Sequence, residues 1–166
     1  MRGALLVADA AGYLKGERRL TALFTPTATR SLAGYTATKT RVLVNVLDNV
    51  ASRIEAWSEV AGRWQKRDVK APYPGSLSVG ALHDPLLKDD ALAEAFFLNA
   101  SDFLKPDTLQ IGDAGSDKPL EVLKSRPTFF DSTGMRAEQR FATSKDGTKV
   151  PYFVIWPKGA KADGAN

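Results

Sequence analysis

Two neighbouring stretches contain the residue types that hydrolytic chemistry uses. The run Ser76-Leu77-Ser78-Val79-Gly80 comes closest to the Gly-x-Ser-x-Gly elbow, which presents a nucleophilic serine at a sharp strand-to-helix turn. It has serine where the first glycine belongs, and it begins a β-rich run that no helical pattern follows. The sequence therefore favours an ordinary strand over a catalytic elbow.

A histidine and an aspartate follow that strand, and together they suggest a base and its orienting carboxylate. His83 is the only histidine, and Asp84 is adjacent to it. A triad also requires a nucleophile within hydrogen-bond reach, and no motif supplies one, so a structural histidine at the strand end is favoured. Metal binding is equally unsupported, because there is no cysteine and the carboxylates of Asp89, Asp90 and Asp102 lack ligand spacing.

Cofactor and modification motifs give no stronger signal. Neither a Gly-x-Gly-x-x-Gly loop nor a Walker-type loop occurs, and Gly112-Asp113-Ala114-Gly115 is typical of a hairpin turn. Asn99-Ala100-Ser101 fits the glycosylation pattern but falls within a β-rich run. We therefore predict no catalytic, cofactor-binding or metal-binding residue, and no cofactor, in this chain.

The densest basic window covers residues 63–70, Arg-Trp-Gln-Lys-Arg-Asp-Val-Lys. Its cations and its aromatic ring would suit phosphate contacts and base stacking. The same composition is typical of an outer strand whose charged side chains discourage edge pairing. The outer strand is favoured and no nucleic-acid partner is predicted; salt-dependent binding to an oligonucleotide would distinguish the two interpretations.

Composition places the chain among soluble globular proteins. The 166 residues are 43% hydrophobic and 25% charged, with no cysteine and a net charge of +4, so stability must come from packing without disulfides. The apolar run at residues 3–8 is too short for a secretory signal, and no run approaches the roughly 20 residues of a membrane span. We expect a soluble protein without a membrane partner, in a cytoplasmic or periplasmic compartment that composition does not distinguish.

Short β-rich runs separated by turn residues dominate the remainder of the chain, and none shows a sustained helical period. They predict a mainly β fold with strands at residues 4–8, 19–25, 31–38, 41–48, 52–60, 63–70, 76–83, 94–101, 107–112 and 119–124. Residues 84–93 between two of them predict a loop with a short helix. The strands group into two four-strand units about 45 residues apart, the size of a propeller blade, preceded by two strands of another.

The end of the chain predicts a β-hairpin. Residues 141–145 and 149–156 are β-rich and are joined through Asp146-Gly147, a strong hairpin signal. The preceding residues, 125–139, contain Pro127 and Gly134 and predict a domain boundary. We expect this linker to be covered, because Phe129, Phe130 and Met135 are costly to expose to water.

The final stretch, SKDGTKVPYFVIWPKGAKADGAN, resembles the point at which the prolyl oligopeptidase family of serine peptidases passes from its β-propeller into its α/β-hydrolase domain. Three upstream stretches are similar to the last propeller blades and linker of bacterial members: LVNVLDN at 43–49, ASDFLKP at 100–106 and FFDSTG at 129–134. The resemblance covers nearly the whole chain and implies a fragment.

The resemblance implies a partial propeller at residues 1–124, a linker at 125–139 and the first hairpin of the peptidase domain at 140–166. Such an enzyme hydrolyses short proline-containing peptides, and its propeller limits access to the active site. The Ser, Asp and His of the triad would follow residue 166, so the chain alone is expected to be non-catalytic. The missing α/β-hydrolase domain is then the partner of this chain. The blade that lacks a neighbour is expected to cause self-association of the fragment. The alternative to the fragment is a stand-alone β-rich module that binds a protein or peptide.

Overall fold

The computed structural model describes residues 2–72, 75–162 and 164, and this part of the chain is mainly β. Twelve strands and one short helix occur in it, in the order β1 (Leu5–Val7), α1 (Ala10–Leu14), β2 (Thr21–Phe24), β3 (Arg30–Ala37), β4 (Arg41–Asp48), β5 (Ala51–Val60), β6 (Arg63–Asp68), β7 (Ser76–Ala81), β8 (Ala95–Ser101), β9 (Thr108–Asp113), β10 (Glu121–Ser125), β11 (Arg136–Thr143) and β12 (Lys149–Trp156). The predicted mainly β class is confirmed.

The strands form antiparallel sheets between sequence neighbours. An N-terminal sheet pairs β1 with β2, a first four-stranded sheet has the order β3-β4-β5-β6, and a second has the order β10-β9-β8-β7. Strands β11 and β12 form a separate two-stranded element, the terminal ribbon. Short connections produce this order, because a tight turn can join antiparallel strands only to an adjacent partner.

The sheets pack through both faces of β4. Leu43 lies in the larger core cluster, with Ile54 of β5 and Leu77, Phe96 and Leu98 of the second four-stranded sheet. Val44 and Val46 point the other way and pack with Phe24 of the N-terminal sheet. Because side chains alternate between the faces of a strand, a continuous apolar run is what a sheet covered on both sides requires.

Polar side chains fix the two four-stranded sheets against each other along β7. The Asn45 amide donates to the Leu77 carbonyl (2.7 Å), and the Ser52 hydroxyl accepts the Leu77 N–H (3.2 Å). The Thr36 hydroxyl accepts the N–H of Ala81 (3.2 Å). Strand β7 lies at the edge of its sheet, so these bonds satisfy backbone groups that no strand pairs.

Glu55 is a buried charge inside the first four-stranded sheet. Its carboxylate accepts hydrogen bonds from Arg30 (2.8 Å), Lys66 (3.1 Å) and the Trp57 indole (3.2 Å). Burial would raise the pKa of Glu55, but the hydrogen bonds from Lys66 and Arg30 outweigh it and hold the pKa below the ordinary value. The carboxylate therefore joins β3, β5 and β6 as an ion.

Three local expectations were wrong. Residues 84–93 contain turns and no helix, because Asp84 and Asp90 bind backbone amides of the loop and favour turns. Instead α1 interrupts the first two strands, capped by Asp9, which accepts the Gly12 N–H (2.5 Å). Strand β11 begins at Arg136, five residues earlier than the predicted strand at 141–145.

The linker aromatics also depart from expectation. Phe129 and Phe130 are 83% and 53% exposed, so the described residues do not cover them as predicted. They lie beside the loop 102–107, where the two rings line part of a cavity of about 280 Å³. Neighbouring β10 is exposed along its whole length.

No helix in the described ranges is long and apolar enough to cross a membrane.

Candidate functional site

The serine-containing run lies inside an extended strand. Ser76 and Ser78 are residues of β7, where Ser76 pairs with Ser101 and Ser78 pairs with Asn99. The backbone therefore makes no strand-to-helix turn there. The structural reason is the pairing with β8, which keeps all six β7 residues extended and their hydroxyls on one sheet face.

His83 pairs with a different aspartate from its sequence neighbour. Its Nδ1 lies 2.8 Å from the carboxylate of Asp90, which also accepts the N–H groups of Asp84 (3.0 Å) and Leu92 (2.8 Å). The hydrogen bond from His83 is the main cause that lowers the pKa of Asp90. The pair ties the loop 82–94 together, and no serine or threonine hydroxyl bonds to His83 in the described part of the chain.

The carboxylates named in the sequence do not converge on a metal. Asp102 accepts the N–H groups of Leu104 and Lys105 (2.7 Å each), and Asp90 is used by its own loop. Among the residues that the structure describes, no group of three or more histidine and carboxylate side chains is arranged to hold a metal ion.

The cations of the basic window largely serve internal contacts. Lys66 binds Glu55, and Arg67 binds the Asp117 carboxylate (2.5 Å) and the Ala114 carbonyl (2.7 Å) in the connection between β9 and β10. These residues lie on β6, the edge strand of the first four-stranded sheet. Lys66 therefore stabilises the first four-stranded sheet, and Arg67 links that sheet to the second one.

The described residues instead converge where the terminal ribbon meets the sheets. The Phe103 ring, from the loop between β8 and β9, packs on the Phe153 ring with centroids 5.1 Å apart at 48°. The Gln139 amide of β11 donates to the Asn49 carbonyl (2.5 Å) in the β4–β5 turn. The ring pair and the hydrogen bond are on the same ribbon face, since Gln139 and Phe153 are directly paired.

The β4–β5 turn has an unusual backbone. Asn49 and Val50 have φ values of 48° and 66°, the pair of left-handed conformations that a type I′ hairpin requires. Asparagine adopts this region readily, whereas a β-branched valine does so only with strain. The Val50 side chain lies in the same cavity lining as Ala137 and Phe153 of the ribbon.

These residues enclose a cavity of about 310 Å³. Its walls are Leu47 and Val50 of the first four-stranded sheet, Phe103 of the loop, and Ala137 and Phe153 of the ribbon. Ser52, Ser76, Ser101 and Asp102 add polar groups. The junction cavity, as we call it, is thus mainly apolar with a few convergent polar atoms, the composition of a ligand site.

The opposite ribbon face carries a charged ladder. Glu138 accepts hydrogen bonds from Arg136 (2.8 Å) and Arg140 (2.8 Å), which together lower the pKa of Glu138 to about 2. Both guanidinium groups lie 5.2 Å from the centroid of the Trp156 ring. Cation–π contact and the shared carboxylate hold this face in one arrangement.

Sequence reasoning missed the junction residues. Asn49 and Gln139 are 90 positions apart, so no local pattern connects them. One signal was available for the turn, because Asn49 lies between two β-rich runs and asparagine tolerates the positive φ that a two-residue hairpin turn requires. Phe103 lies in one of the stretches that carried the family resemblance, although its role was not anticipated.

Comparison with known proteins gives a consistent class. No protein-family model matches the chain. An uncharacterized peptidase from Sinorhizobium fredii is 36% identical over 99% of this chain, and one from Rickettsia prowazekii is 30% identical over 99%. A post-proline cleaving enzyme from Rickettsia typhi matches 99% of this chain with 27% identity and a TM-score of 0.70. Fold and relatives together define a β-sheet segment related to peptidases.

A further solved structure agrees with this class in its fold. Prolyl oligopeptidase B from Galerina marginata has the same fold, with a TM-score of 0.66 over 90% of this chain at 22% identity. The resemblance to the prolyl oligopeptidase family is confirmed, and the chain is a relative of these enzymes over nearly its full length. It spans 22% of the length of each curated relative and 23% of the Rickettsia typhi enzyme.

Proposed function

We propose that the chain is the non-catalytic propeller and linker portion of a prolyl oligopeptidase-type serine peptidase that hydrolyses short proline-containing peptides. The observation that carries this proposal is the coverage. Nearly all of the chain aligns with relatives of which it spans only 22%, so a larger polypeptide is the context in which this segment acts.

The stacking of the sheets supports the propeller interpretation. Two four-stranded antiparallel sheets pack face to face through Leu43, Ile54 and Phe96, and a third, two-stranded sheet packs on the far side. Radially repeated four-stranded sheets are the building units of a propeller. We infer two blades and part of a third.

The terminal ribbon is then the first hairpin of the α/β-hydrolase domain, and the boundary lies between the end of β10 and the start of β11, residues 126–135. This shortens the linker inferred from the sequence, since residues 136–139 belong to β11. In the whole enzyme the propeller would restrict the size of peptides that reach the triad, while all three triad residues would belong to the remainder of the polypeptide.

The proposal is tested by supplying the missing domain. The purified chain is assayed with a chromogenic peptide that has proline at the cleaved bond, alone and after fusion to the hydrolase domain of a relative. We expect no turnover by the chain alone, because a nucleophile, base and oxyanion site must act together. The fusion should cleave the peptide and be blocked by a serine-directed inhibitor.

A size series separates a propeller that restricts access from an inert appendage. The fusion should cleave a short peptide but not the same sequence embedded in a folded protein. After deletion of residues 2–125, both substrates should be cleaved. Inhibitor-sensitive hydrolysis by the chain alone would contradict the non-catalytic assignment. Equal size selectivity with and without residues 2–125 would favour the stand-alone binding module.

A further inference from the structure

The junction cavity has the dimensions and lining of a small-molecule site. An engineered apolar cavity of about 150 Å³ is sufficient to bind benzene. The junction cavity, at about 310 Å³, has room for a larger aromatic molecule. Val50 and Phe103 are 57% and 54% exposed, so the cavity communicates with solvent and a ligand can enter.

Its polar side chains are few. Ser76 and Ser101, paired at the end of β7 and β8, line the cavity, but their side chains lie on the sheet face opposite the buried Leu77 and Ala100. The Ser52 hydroxyl accepts the Leu77 N–H and retains its own proton for donation. The Ser52 hydroxyl is therefore able to bind one polar atom of a ligand whose remainder is apolar.

The aromatic wall and the carboxylate narrow the ligand class. The tilted rings of Phe103 and Phe153 offer the edges and faces with which aromatic rings pack best. The Asp102 carboxylate, also in the lining, disfavours an anion.

We propose that the junction cavity binds a small neutral aromatic molecule that carries one hydrogen-bonding group. This site is independent of the peptidase assignment. A ligand in this cavity contacts the first four-stranded sheet, the loop and the ribbon together. It therefore binds the state in which the ribbon packs against the sheet more tightly than a state in which the ribbon has detached, and it stabilises the packed state.

The test uses indole as the probe and saturation-transfer NMR, which observes the ligand and tolerates an oligomeric protein. The informative variant is Ala137→Phe, which places a ring in the cavity from β11. Its matched control is Ala142→Phe, on the same strand but on the opposite, exposed ribbon face. We expect saturable binding to the wild type and to Ala142→Phe, and at least tenfold weaker binding to Ala137→Phe.

Equal binding by Ala137→Phe, or no saturable binding by the wild type, overturns the proposal. Two wild-type measurements keep the test valid if Ala137→Phe fails to fold. Nuclear Overhauser contacts should join indole to the Val50 methyl groups and the Phe153 ring, and contacts elsewhere would contradict the site. Benzoate should bind at least tenfold more weakly than indole, and equal affinity would contradict the neutral ligand class.

Discussion

Replacing Glu55 by glutamine tests whether a buried ion holds the first four-stranded sheet together. The wild-type carboxylate is 3% exposed and accepts three hydrogen bonds, two of them from cations. Glutamine keeps the shape but presents an NH₂ group to at least one donor. Hydrogen bonds to charged groups contribute roughly 1.5–3 kcal/mol each, and a broken buried pair costs roughly 3–5 kcal/mol.

The expected loss lies at the lower end of these ranges. The Arg30 and Lys66 side chains are 31% and 41% exposed, so water can rehydrate them after the charge is removed. We expect Glu55→Gln to lower the free energy of unfolding by about 2 kcal/mol at pH 7. Urea unfolding followed by tryptophan fluorescence measures it, because Trp57 itself donates to Glu55.

The pH dependence gives the same prediction a second readout. The folded-state pKa of Glu55 lies below the ordinary value of 4.5, so its contribution is complete above that value and is lost as the pH falls through the lowered pKa. The stability difference between wild type and Glu55→Gln should therefore shrink in acid.

Glu59→Gln is the matched control, since Glu59 is on the same strand and sheet face but is exposed. It should change the free energy of unfolding by less than about 0.5 kcal/mol. Equal effects of the two substitutions, or a Glu55→Gln difference that persists unchanged into acid, would refute the reasoning.

Three further predictions concern strain, packing and assembly. Gly147 has φ +84° in the ribbon turn, a conformation that valine adopts only with strain and asparagine tolerates better. In urea unfolding, Gly147→Val should lower the free energy of unfolding by about 1 kcal/mol or more, and Gly147→Asn should lower it by less. Equal losses in the two variants would contradict the strain. A Cβ at Gly112 would lie 2.3 Å from Leu120 and 2.8 Å from Phe96, so Gly112→Ala should lower the free energy of unfolding by roughly 1–3 kcal/mol. Gly80→Ala should not lower it, because the space around a Cβ at Gly80 is open. The isolated chain should self-associate and bind an apolar-surface dye at micromolar concentration, since Phe129 and Phe130 are exposed; light scattering from a compact monomer that binds no dye would contradict this.

Strands with strong turn chemistry at their ends were predictable from sequence. The bounds of β4 and β12 match the expected 41–48 and 149–156, because Lys39-Thr40 and Asp146-Gly147 mark where each strand begins. The helix α1 was missed because five residues are too few to display a helical period. The start of β11 was missed because Arg136-Ala-Glu-Gln lacks the β-branched residues that identify strands.

The absence of catalytic, cofactor-binding and metal-binding residues stays a prediction, and the junction shows why the candidate site itself lay beyond sequence reasoning. Its contacts bring Asn49, Phe103, Gln139 and Phe153 together from four separate segments. None of these residues has a composition signal of its own, since an exposed phenylalanine or a polar turn residue is common on any surface. What distinguishes them is mutual placement, which depends on the packing between the sheets.

The packing between the two four-stranded sheets therefore also determines the position of the junction residues. The Asn45 and Ser52 side chains bind Leu77 and set the position of β7 against the first four-stranded sheet. Ser52 also lines the junction cavity, beside Val50 of the turn. Ser76 of β7 lines the same cavity, so a shift of β7 would move one wall of the cavity relative to another. The hydrogen bonds from Asn45 and Ser52 to Leu77 thus help to position the surface against which the terminal ribbon packs.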